Sequence, residues 1–308
     1  MKRMRVGVIG SNMMDLISRI ERMPKMGETI PALGFDLGYG GKGCNQAVAA
    51  AKLGAEVVMV TKVGDDLFGP GVVENLRQQG VATQHVTTAA GHHSGVAPIF
   101  VDQDGQNAIL TIKDANDCLA PDDIDRAADD LQTCDVILLQ LELAVETIYH
   151  VIRSVQAWNV PLILNPAPYM PVDKRYLIGI DYLIPNEHEL ALLVDRPLKT
   201  RLELEEAARE LRQHTGRTVV VTVGAQGSLL VEQERLQWVA PPAVQAVDTT
   251  GAGDAFIGSF AVFLSQTNDV LASMKMANAY AAFSTRRVGT QKSFLSRAQW
   301  EAEYRTLD

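Results

Sequence analysis

A glycine-rich turn that opens directly into a long apolar segment lies near the end of the chain. It reads Asp248-Thr-Thr-Gly-Ala-Gly-Asp254, and the apolar run 255–264 follows at once. That run has few polar breaks and predicts a buried helix. The first turn of a helix has unpaired backbone N–H groups, and Gly251 and Gly253 allow another molecule to approach closely. The stretch therefore predicts a site for an anion, and a phosphate group in transfer fits it.

Asp254 falls in the first turn of that helix. From there its carboxylate could take a proton from a hydroxyl group that attacks the bound phosphate. An aspartate at this position could also serve only to favour the start of a helix. The two glycines and a second carboxylate, Asp248, favour the catalytic interpretation.

The composition argues against several classes of partner. The 308 residues carry 28 lysines and arginines against 37 aspartates and glutamates, a net charge of −9. Nucleic acid and an anionic membrane surface are therefore not expected as partners. No apolar run is long enough to span a membrane, and the run 5–10 is too short for a secretory signal. Three cysteines without paired spacing suit reduced thiols, so we expect a cytoplasmic protein.

Short apolar runs alternate with helical patterns along most of the chain. Strands are expected at 5–10, 57–63, 136–141, 161–164, 182–184, 218–223, 229–231 and 236–239, and helices at 45–53, 69–80, 121–131, 144–158, 202–214, 255–264 and 270–285. Two β-rich inserts, 13–41 and 93–116, interrupt this order, the second as a hairpin that turns at 102–105. We expect an α/β fold, in which 1–12, 42–92 and 117–308 form a Rossmann-like doubly wound sheet and the inserts form a small β-sheet lid.

Polar residues follow the strand ends, where the ligands of open α/β sheets collect. Asp15 comes soon after the first strand, and Glu142 ends a later one. The run Gly38-Tyr-Gly-Gly-Lys-Gly43 fits a GxGxxG pattern, but it does not follow the first strand, so we exclude dinucleotide binding. We interpret its glycines as a close approach to a small polar ligand, with Lys42 and Asn45 as donors.

The two glycine-rich runs resemble those of the ribokinase (PfkB) family of carbohydrate kinases. One is Gly40-Gly-Lys-Gly-Cys-Asn-Gln-Ala47 and the other is 248–254. Four further runs match the family in order, Ser94-Gly-Val-Ala-Pro-Ile-Phe-Val101, Gln140-Leu-Glu142, Asn165-Pro-Ala-Pro168 and Pro185-Asn-Glu-His-Glu189. The resemblance covers nearly the whole chain.

The resemblance implies a ribokinase-like fold and the ATP-dependent phosphorylation of a primary hydroxyl of a sugar. Asp254 would be the catalytic base, and the backbone of Gly251, Ala252 and Gly253 the anion hole. The sugar hydroxyls would be held by Asp15, Gly41, Lys42, Asn45, Glu142 and Asp254. The ATP triphosphate with its Mg²⁺ would lie near Asn186 and Glu189, and the nucleotide would contact Thr222, Gly224, Gly227 and Asn278, the last near the adenine.

Two further expectations come from the resemblance alone. A monovalent cation, K⁺, would lie beside the anion hole, at positions matching Asp248, Thr250, Ser284, Arg287, Gly289 and Ser293. Family members also pair through the lid, so a homodimer is expected. Phosphoryl transfer depends on positioning and on charge stabilisation, which such a site would supply.

One departure from ribokinases bears on the sugar. Ribokinases carry asparagine two residues after the serine in Gly-Ser-x-Asn-x-Asp, whereas this chain has Met13 there and Asn12 one residue earlier. If the family's asparagine bonds a ring hydroxyl such as the 2-hydroxyl, ribose would here bury that hydroxyl unpaired, at a cost of ~1–3 kcal/mol. The run also resembles that of deoxyribokinases. We expect 2-deoxyribose to be preferred; if Met13 only packs, ribose is preferred.

Other activities stay open. The chain could be an ordinary ribokinase, or a nucleoside kinase whose lid holds a base. A fructose-phosphate kinase would need cationic residues for the substrate phosphate, and the inserts carry only scattered ones. A non-catalytic sugar-binding regulator has no chemical need for Asp254, Asn186 and Glu189 together, which argues against that class.

Overall fold

The structure, a computed structural model, describes residues 4–307. The strands are β1 Arg5–Ile9, β2 Met13–Arg19, β3 Gly34–Gly40, β4 Glu56–Gly64, β5 Val81–Ala89, β6 Val96–Val101, β7 Asn107–Ile109, β8 Val136–Gln140, β9 Leu162–Asn165, β10 Tyr182–Leu183, β11 Thr218–Thr222, β12 Ser228–Val231 and β13 Leu236–Val239. The α-helices are α1 Lys42–Lys52, α2 Gly69–Gln78, α3 Pro121–Arg126, α4 Ala128–Leu131, α5 Val145–Trp158, α6 Glu187–Leu193, α7 Arg201–Thr215, α8 Ala252–Thr267, α9 Val270–Ser284 and α10 Arg297–Tyr304.

A nine-stranded sheet forms the larger part of the fold, in the order β13-β12-β11-β10-β9-β8-β1-β4-β5. Strands β5 to β11 in this order are parallel, and β12 and β13 add an antiparallel pair at one edge. The chain starts in the middle, at β1, and extends first to one side and then to the other. The strand order thus reverses at β1, which confirms the doubly wound α/β fold.

Helices cover both faces of this sheet, because successive side chains of its parallel strands point to opposite faces and are apolar on both. In β8, Val136 and Leu138 belong to one buried cluster, which includes Phe260 of α8. Ile137 and Leu139 belong to a second cluster, with the apolar side chains of α5. The run Val136–Gln140 is accordingly buried at every position.

A second, four-stranded sheet is formed by β3-β2-β6-β7. Strands β2 and β6 pair in parallel, whereas β3 and β7 pair antiparallel with their neighbours. All four strands lie within the inserts 13–41 and 93–116, and β6 and β7 form the expected hairpin around 102–105. The smaller sheet of the predicted fold class is therefore present.

Helices α1 and α8 pack unusually close together, and this brings their N-termini to one place. A Cβ atom added to Gly258 of α8 would lie 2.5 Å from the carbonyl oxygen of Gln46 and 2.8 Å from Cβ of Ala49. Only glycine fits at this crossing. The start of α1, with Lys42, consequently lies beside the start of α8, with Asp254.

Several predicted boundaries differ from the structure. Helix α8 begins at Ala252 and α1 at Lys42, each three residues before the predicted start, since their glycines are part of the first turn. The predicted helix 121–131 is two helices separated at Ala127. Strand β5 and helices α6 and α10 were not predicted. Within residues 4–307, no helix has the length and apolarity needed to cross a bilayer.

Candidate active site

A cavity of about 220 Å³ opens at the carboxyl ends of the parallel strands. Asn165 ends β9, Asn186 follows β10, and Thr222 ends β11. The cavity is lined by Lys42, Asn165, Ala167, Asn186, Glu189, Thr222, Gly251, Gly253, Asp254 and Ile257. Residues from both glycine-rich runs therefore meet at the edge of the sheet where ligands of such folds bind.

Asp254 lies in the first turn of α8 and is buried. Its two carboxylate oxygens accept hydrogen bonds from adjacent residues of α1. Asn45 Nδ2 donates to Oδ2 at 2.9 Å, and Gln46 Nε2 donates to Oδ1 at 3.0 Å. The carboxylate is thus fixed in orientation at the wall of the cavity.

Gly251 is the N-cap of α8 and has a φ of 78°. This left-handed conformation favours glycine, and an added Cβ atom would overlap the side chain of Thr290. Glycine also offers no side chain to bond the first N–H groups of the helix. The N–H of Ala252 donates to the Thr249 carbonyl oxygen at 3.2 Å, and the next donors, those of Gly253 and Asp254, could serve an anion in the cavity.

Lys42 and Glu142 lie side by side at the start of α1. The carboxylate of Glu142 accepts a bond of 3.0 Å from the backbone N–H of Lys42 and another from the Ser11 hydroxyl. Burial lowers the pKa of the Lys42 ammonium group, but the nearby carboxylates of Asp254, Glu142 and Glu189 outweigh it and raise that pKa. The lysine side chain is therefore held as a cation among three carboxylates.

Asp15 on β2 is the most perturbed carboxyl group of the site. Its pKa is raised to about 7, first by burial and then by the charges of Glu142 and Asp254. This places Asp15 near both residues. Because perturbed carboxyl groups cluster at functional sites, the shift favours a role in binding.

Asp15→Asn is expected to stabilise the folded protein at about pH 8, by on the order of 1–2 kcal/mol, and to change little at about pH 4. A carboxyl group with a raised folded-state pKa binds its proton more tightly when folded, so the wild type loses stability as pH rises to about 7. Urea unfolding at both pH values measures the difference. Asp36→Asn, at an exposed position of the same sheet, is the control. An equal effect of Asp15→Asn at both pH values would contradict the raised pKa.

Met13 lies two residues before Asp15 on β2, so both side chains point to the same face of the small sheet. Met13 is 2% exposed and packs with Ala97 and Ile99. Asn12 is turned elsewhere: its Nδ2 donates to Thr61 Oγ1 and to the Lys62 carbonyl oxygen, each at 2.8 Å. The Asn12 amide therefore does not replace the asparagine amide that ribokinases carry at the position of Met13.

Asn186 and Glu189 cap the start of α6 reciprocally. Asn186 donates to the Glu189 carboxylate from its backbone N–H and from Nδ2, each at 2.9 Å. Burial raises the pKa of Glu189, partly offset by the bond from the Asn186 backbone and by the charge of Lys42. Both residues line the cavity.

Three of the residues predicted for the nucleotide lie at the end of β11 and in the turn before β12, and the fourth, Asn278, lies on α9. Thr222 lines the cavity, whereas Gly224 and Gly227 flank the short turn that follows it. Gly227 has a φ of 91°, and an added Cβ atom would lie 2.8 Å from Pro241 Cδ. Asn278 is buried on α9 and donates to Ser228 Oγ at 2.9 Å and to the Val239 carbonyl oxygen at 2.8 Å. Its amide group thus holds β12 and β13 in place.

Three of the six positions expected to hold a monovalent cation are in contact with one another, namely Asp248, Thr250 and Gly289. The Asp248 carboxylate accepts bonds from the backbone N–H groups of Thr250 at 2.9 Å and Gly289 at 2.8 Å. The side chains of the other three, Ser284, Arg287 and Ser293, have partners outside this group. The hydroxyl of Ser284 bonds the Ala281 carbonyl, that of Ser293 bonds the Thr290 carbonyl, and Arg287 pairs with Glu303.

Four buried polar residues of the site were not singled out from the sequence: Ser11, Gln46, Asn165 and Gln291. Gln46 and Asn165 stand inside the runs that carry the family resemblance. A glutamine such as Gln46, fully buried in an alanine-rich helix, is a signal in itself, because buried amides require partners. The partners, however, come from distant parts of the chain.

The chain is similar to known proteins along nearly its whole length. A family model described as pfkB family carbohydrate kinase matches residues 4–297. The deoxyribokinase of Salmonella typhi is 47% identical over 306 residues, which cover 99% of this chain and 100% of that protein. The ribokinase of Bacillus subtilis is 37% identical over 294 residues, 96% of this chain and 97% of that protein. The structure of Arabidopsis thaliana ribokinase complexed with ribose and ATP has a TM-score of 0.89 at 31% identity, covering 98% of each chain.

Proposed function

We propose, since this chain belongs to the pfkB family of carbohydrate kinases, that it transfers the γ-phosphate of ATP to the 5-hydroxyl of 2-deoxy-D-ribose. Membership of the family makes the chain a phosphotransferase with an alcohol group as acceptor. What we propose beyond this is the identity of the sugar and the roles of individual residues. The strongest support for the sugar is the apolar side chain of Met13 on the face of β2 that also carries Asp15.

In the proposed reaction, Asp254 takes the proton of the 5-hydroxyl. A bond forms between that oxygen and the γ-phosphorus, the bond from the γ-phosphorus to the bridging oxygen breaks, and ADP leaves with its charge. The N–H groups at the start of α8 stabilise the charge on the transferred group. Lys42 balances the nearby carboxylates, and Asp15, Gly41, Asn45 and Glu142 position the sugar.

The side chains near the cavity suit the ions that the family resemblance implies. Glu189 and Asn186 offer the oxygen ligands that Mg²⁺ takes alongside substrate phosphates, and the ion would neutralise phosphate charge. For K⁺, backbone bonds from Val247 and Asp248 to the Thr285 carbonyl hold two oxygen-rich loops together beside α8. Asp248 and the loop 284–293 would supply its oxygen ligands.

The choice of deoxyribose over ribose follows from what surrounds Met13. Its neighbours Ala97 and Ile99 are apolar, and the amide of Asn12 is engaged with Thr61 and Lys62. A 2-hydroxyl directed at this surface would lose its hydrogen bonds to water without replacement. Ribose is the alternative substrate, and the similarity to ribokinases supports it.

The test is to incubate the protein with ATP, Mg²⁺ and K⁺, together with 2-deoxyribose, ribose or no sugar. We expect one ADP for each 2-deoxyribose 5-phosphate formed, with the phosphate position read by ³¹P NMR. Higher kcat/KM with ribose would instead support the ribokinase alternative. Sugar binding in calorimetry without turnover of any sugar would support the regulator.

We also propose that the small sheet covers the sugar and pairs with a second copy in a cytoplasmic homodimer. Phe35 is 60% exposed and Leu37 is 49% exposed, and both lie on the face of the sheet opposite to Asp15. Exposed apolar side chains that lie together on one face can mark a protein–protein contact. The three free cysteines suit a reducing compartment such as the cytoplasm.

Leu37→Glu is expected to convert the dimer to a monomer, because the glutamate would be buried without a partner in the interface. Sedimentation velocity of wild type and variant measures this. Leu67→Glu changes another exposed leucine outside this sheet and is the control. A monomeric wild type at micromolar concentration would contradict the dimer.

A further inference from the structure

Gln46 is tied to the Asp254 carboxylate by a chain of amide groups. It is fully buried, and its Nε2 donates to Asp254 Oδ1 at 3.0 Å and to Asn165 Oδ1 at 3.2 Å. Its own Oε1 accepts a bond of 2.7 Å from Gln140 Nε2. Every polar atom of the Gln46 side chain is thus engaged.

The orientation of this amide is determined by its partners. If Gln46 were flipped, its oxygen would face the Asp254 carboxylate and its NH₂ group would face that of Gln140, and both bonds would be lost. A donor toward Asp254 is therefore built into the site.

Gln140 holds the Gln46 amide from the other side. Its Nε2 is the donor to Gln46 Oε1. Its own Oε1 lies against Gly10, where an added Cβ atom would overlap it. The close fit of Gln140 between Gly10 and Gln46 limits the positions that its side chain can take.

Asn45 forms the matching arrangement on the other oxygen. It donates to Asp254 Oδ2 at 2.9 Å, and its own Oδ1 accepts a bond of 3.0 Å from Gln291 Nε2. One donor on each oxygen fixes the plane of the carboxylate. Amide groups do not titrate, so these chains cannot carry the proton away; they can only orient Asp254.

We propose that Gln46, held by Gln140, is a positioning residue that orients the Asp254 carboxylate for proton abstraction. The inference rests on the proposed role of Asp254 as the base. It assigns to Gln46 an effect on turnover rather than on sugar affinity, because the bond is made to the base and not to the sugar.

The test compares kcat and sugar KM for wild type, Gln46→Met, Gln46→Glu and Gln140→Met. Gln46→Met is expected to lower kcat about tenfold to a hundredfold near pH 7, with sugar KM changed less than about threefold. Gln140→Met should act in the same direction but less. Gln46→Glu keeps the shape but replaces the donor to Asp254 with a second carboxyl group, so its kcat should also fall.

Two controls separate the possible outcomes. Thr147→Val removes a buried hydrogen bond to the Leu119 carbonyl outside the cavity, so it should lower the unfolding temperature and leave kcat unchanged. Wild-type kcat in Gln46→Glu would overturn the positioning role. If Asp254→Asn itself retained full activity, the proposed base would fail, and that result is distinct from a failure of Gln46 alone. Should Gln46→Met not fold, Gln46→Glu and Gln140→Met decide the question.

Discussion

Asp254→Asn is expected to lower kcat by about 10²–10⁴-fold for every sugar that the enzyme accepts, because an amide cannot take the proton of the attacking hydroxyl. The sugar KM should change little, since the shape of the side chain is kept. The new NH₂ group would face a donor, either Nδ2 of Asn45 or Nε2 of Gln46. A loss of about 1 kcal/mol in the free energy of unfolding is therefore expected as well.

Steady-state kinetics with saturating ATP and thermal unfolding with and without ADP measure both effects. Asp123→Asn is the matched control, since Asp123 is a buried aspartate paired with Lys62 outside the cavity lining. It should reduce stability without the loss in kcat. An Asp254→Asn variant with more than about a tenth of wild-type kcat would show that another group accepts the proton.

Local patterns in the sequence predict much of the fold. The apolar runs of β1, β8 and β11 and the helical period of α5 and α7 come from residues close together in the chain. Strand β5 was missed because its face is only partly buried and its threonines and histidine weaken the apolar signal. The glycines at the starts of α1 and α8 concealed the first helical turns, since glycine more often marks a loop.

Part of the site can also be predicted from local sequence patterns. Asp254 and the glycines of 251–253 form one short run, so their chemistry can be inferred locally. The bonds from Gln46 and Asn45 to Asp254 join residues more than two hundred positions apart. Such contacts follow from the close crossing of α1 and α8 at Gly258. No local sequence pattern predicts this crossing. The direction in which Asn12 points likewise depends on Thr61 and Lys62.

Met13→Asn is expected to move the preference between sugars toward ribose by about tenfold to a hundredfold. The change places an amide on the face of β2 that carries Asp15, where it can bond a 2-hydroxyl. A hydrogen bond of this kind changes discrimination by ~1–3 kcal/mol. The amide would remain unpaired when 2-deoxyribose binds, so kcat/KM for that sugar should fall.

The adjacent methionine offers a matched control. Met14 is also buried on β2, but its side chain points to the opposite face of the sheet. Met14→Asn should therefore reduce stability to a similar extent and leave the ratio of the two sugars unchanged. An equal shift of the ratio in both variants would indicate a general loosening of the small sheet.

The measurement that tests the account most directly is the ratio of kcat/KM for 2-deoxyribose to that for ribose, in wild type, Met13→Asn and Met14→Asn, with ATP, Mg²⁺ and K⁺. The proposed function predicts a wild-type ratio above one, a lower ratio in Met13→Asn and no change in Met14→Asn. A wild type that prefers ribose, with a ratio that Met13→Asn leaves unchanged, would contradict it. Met13 would then be a packing residue, and the chain would act as a ribokinase.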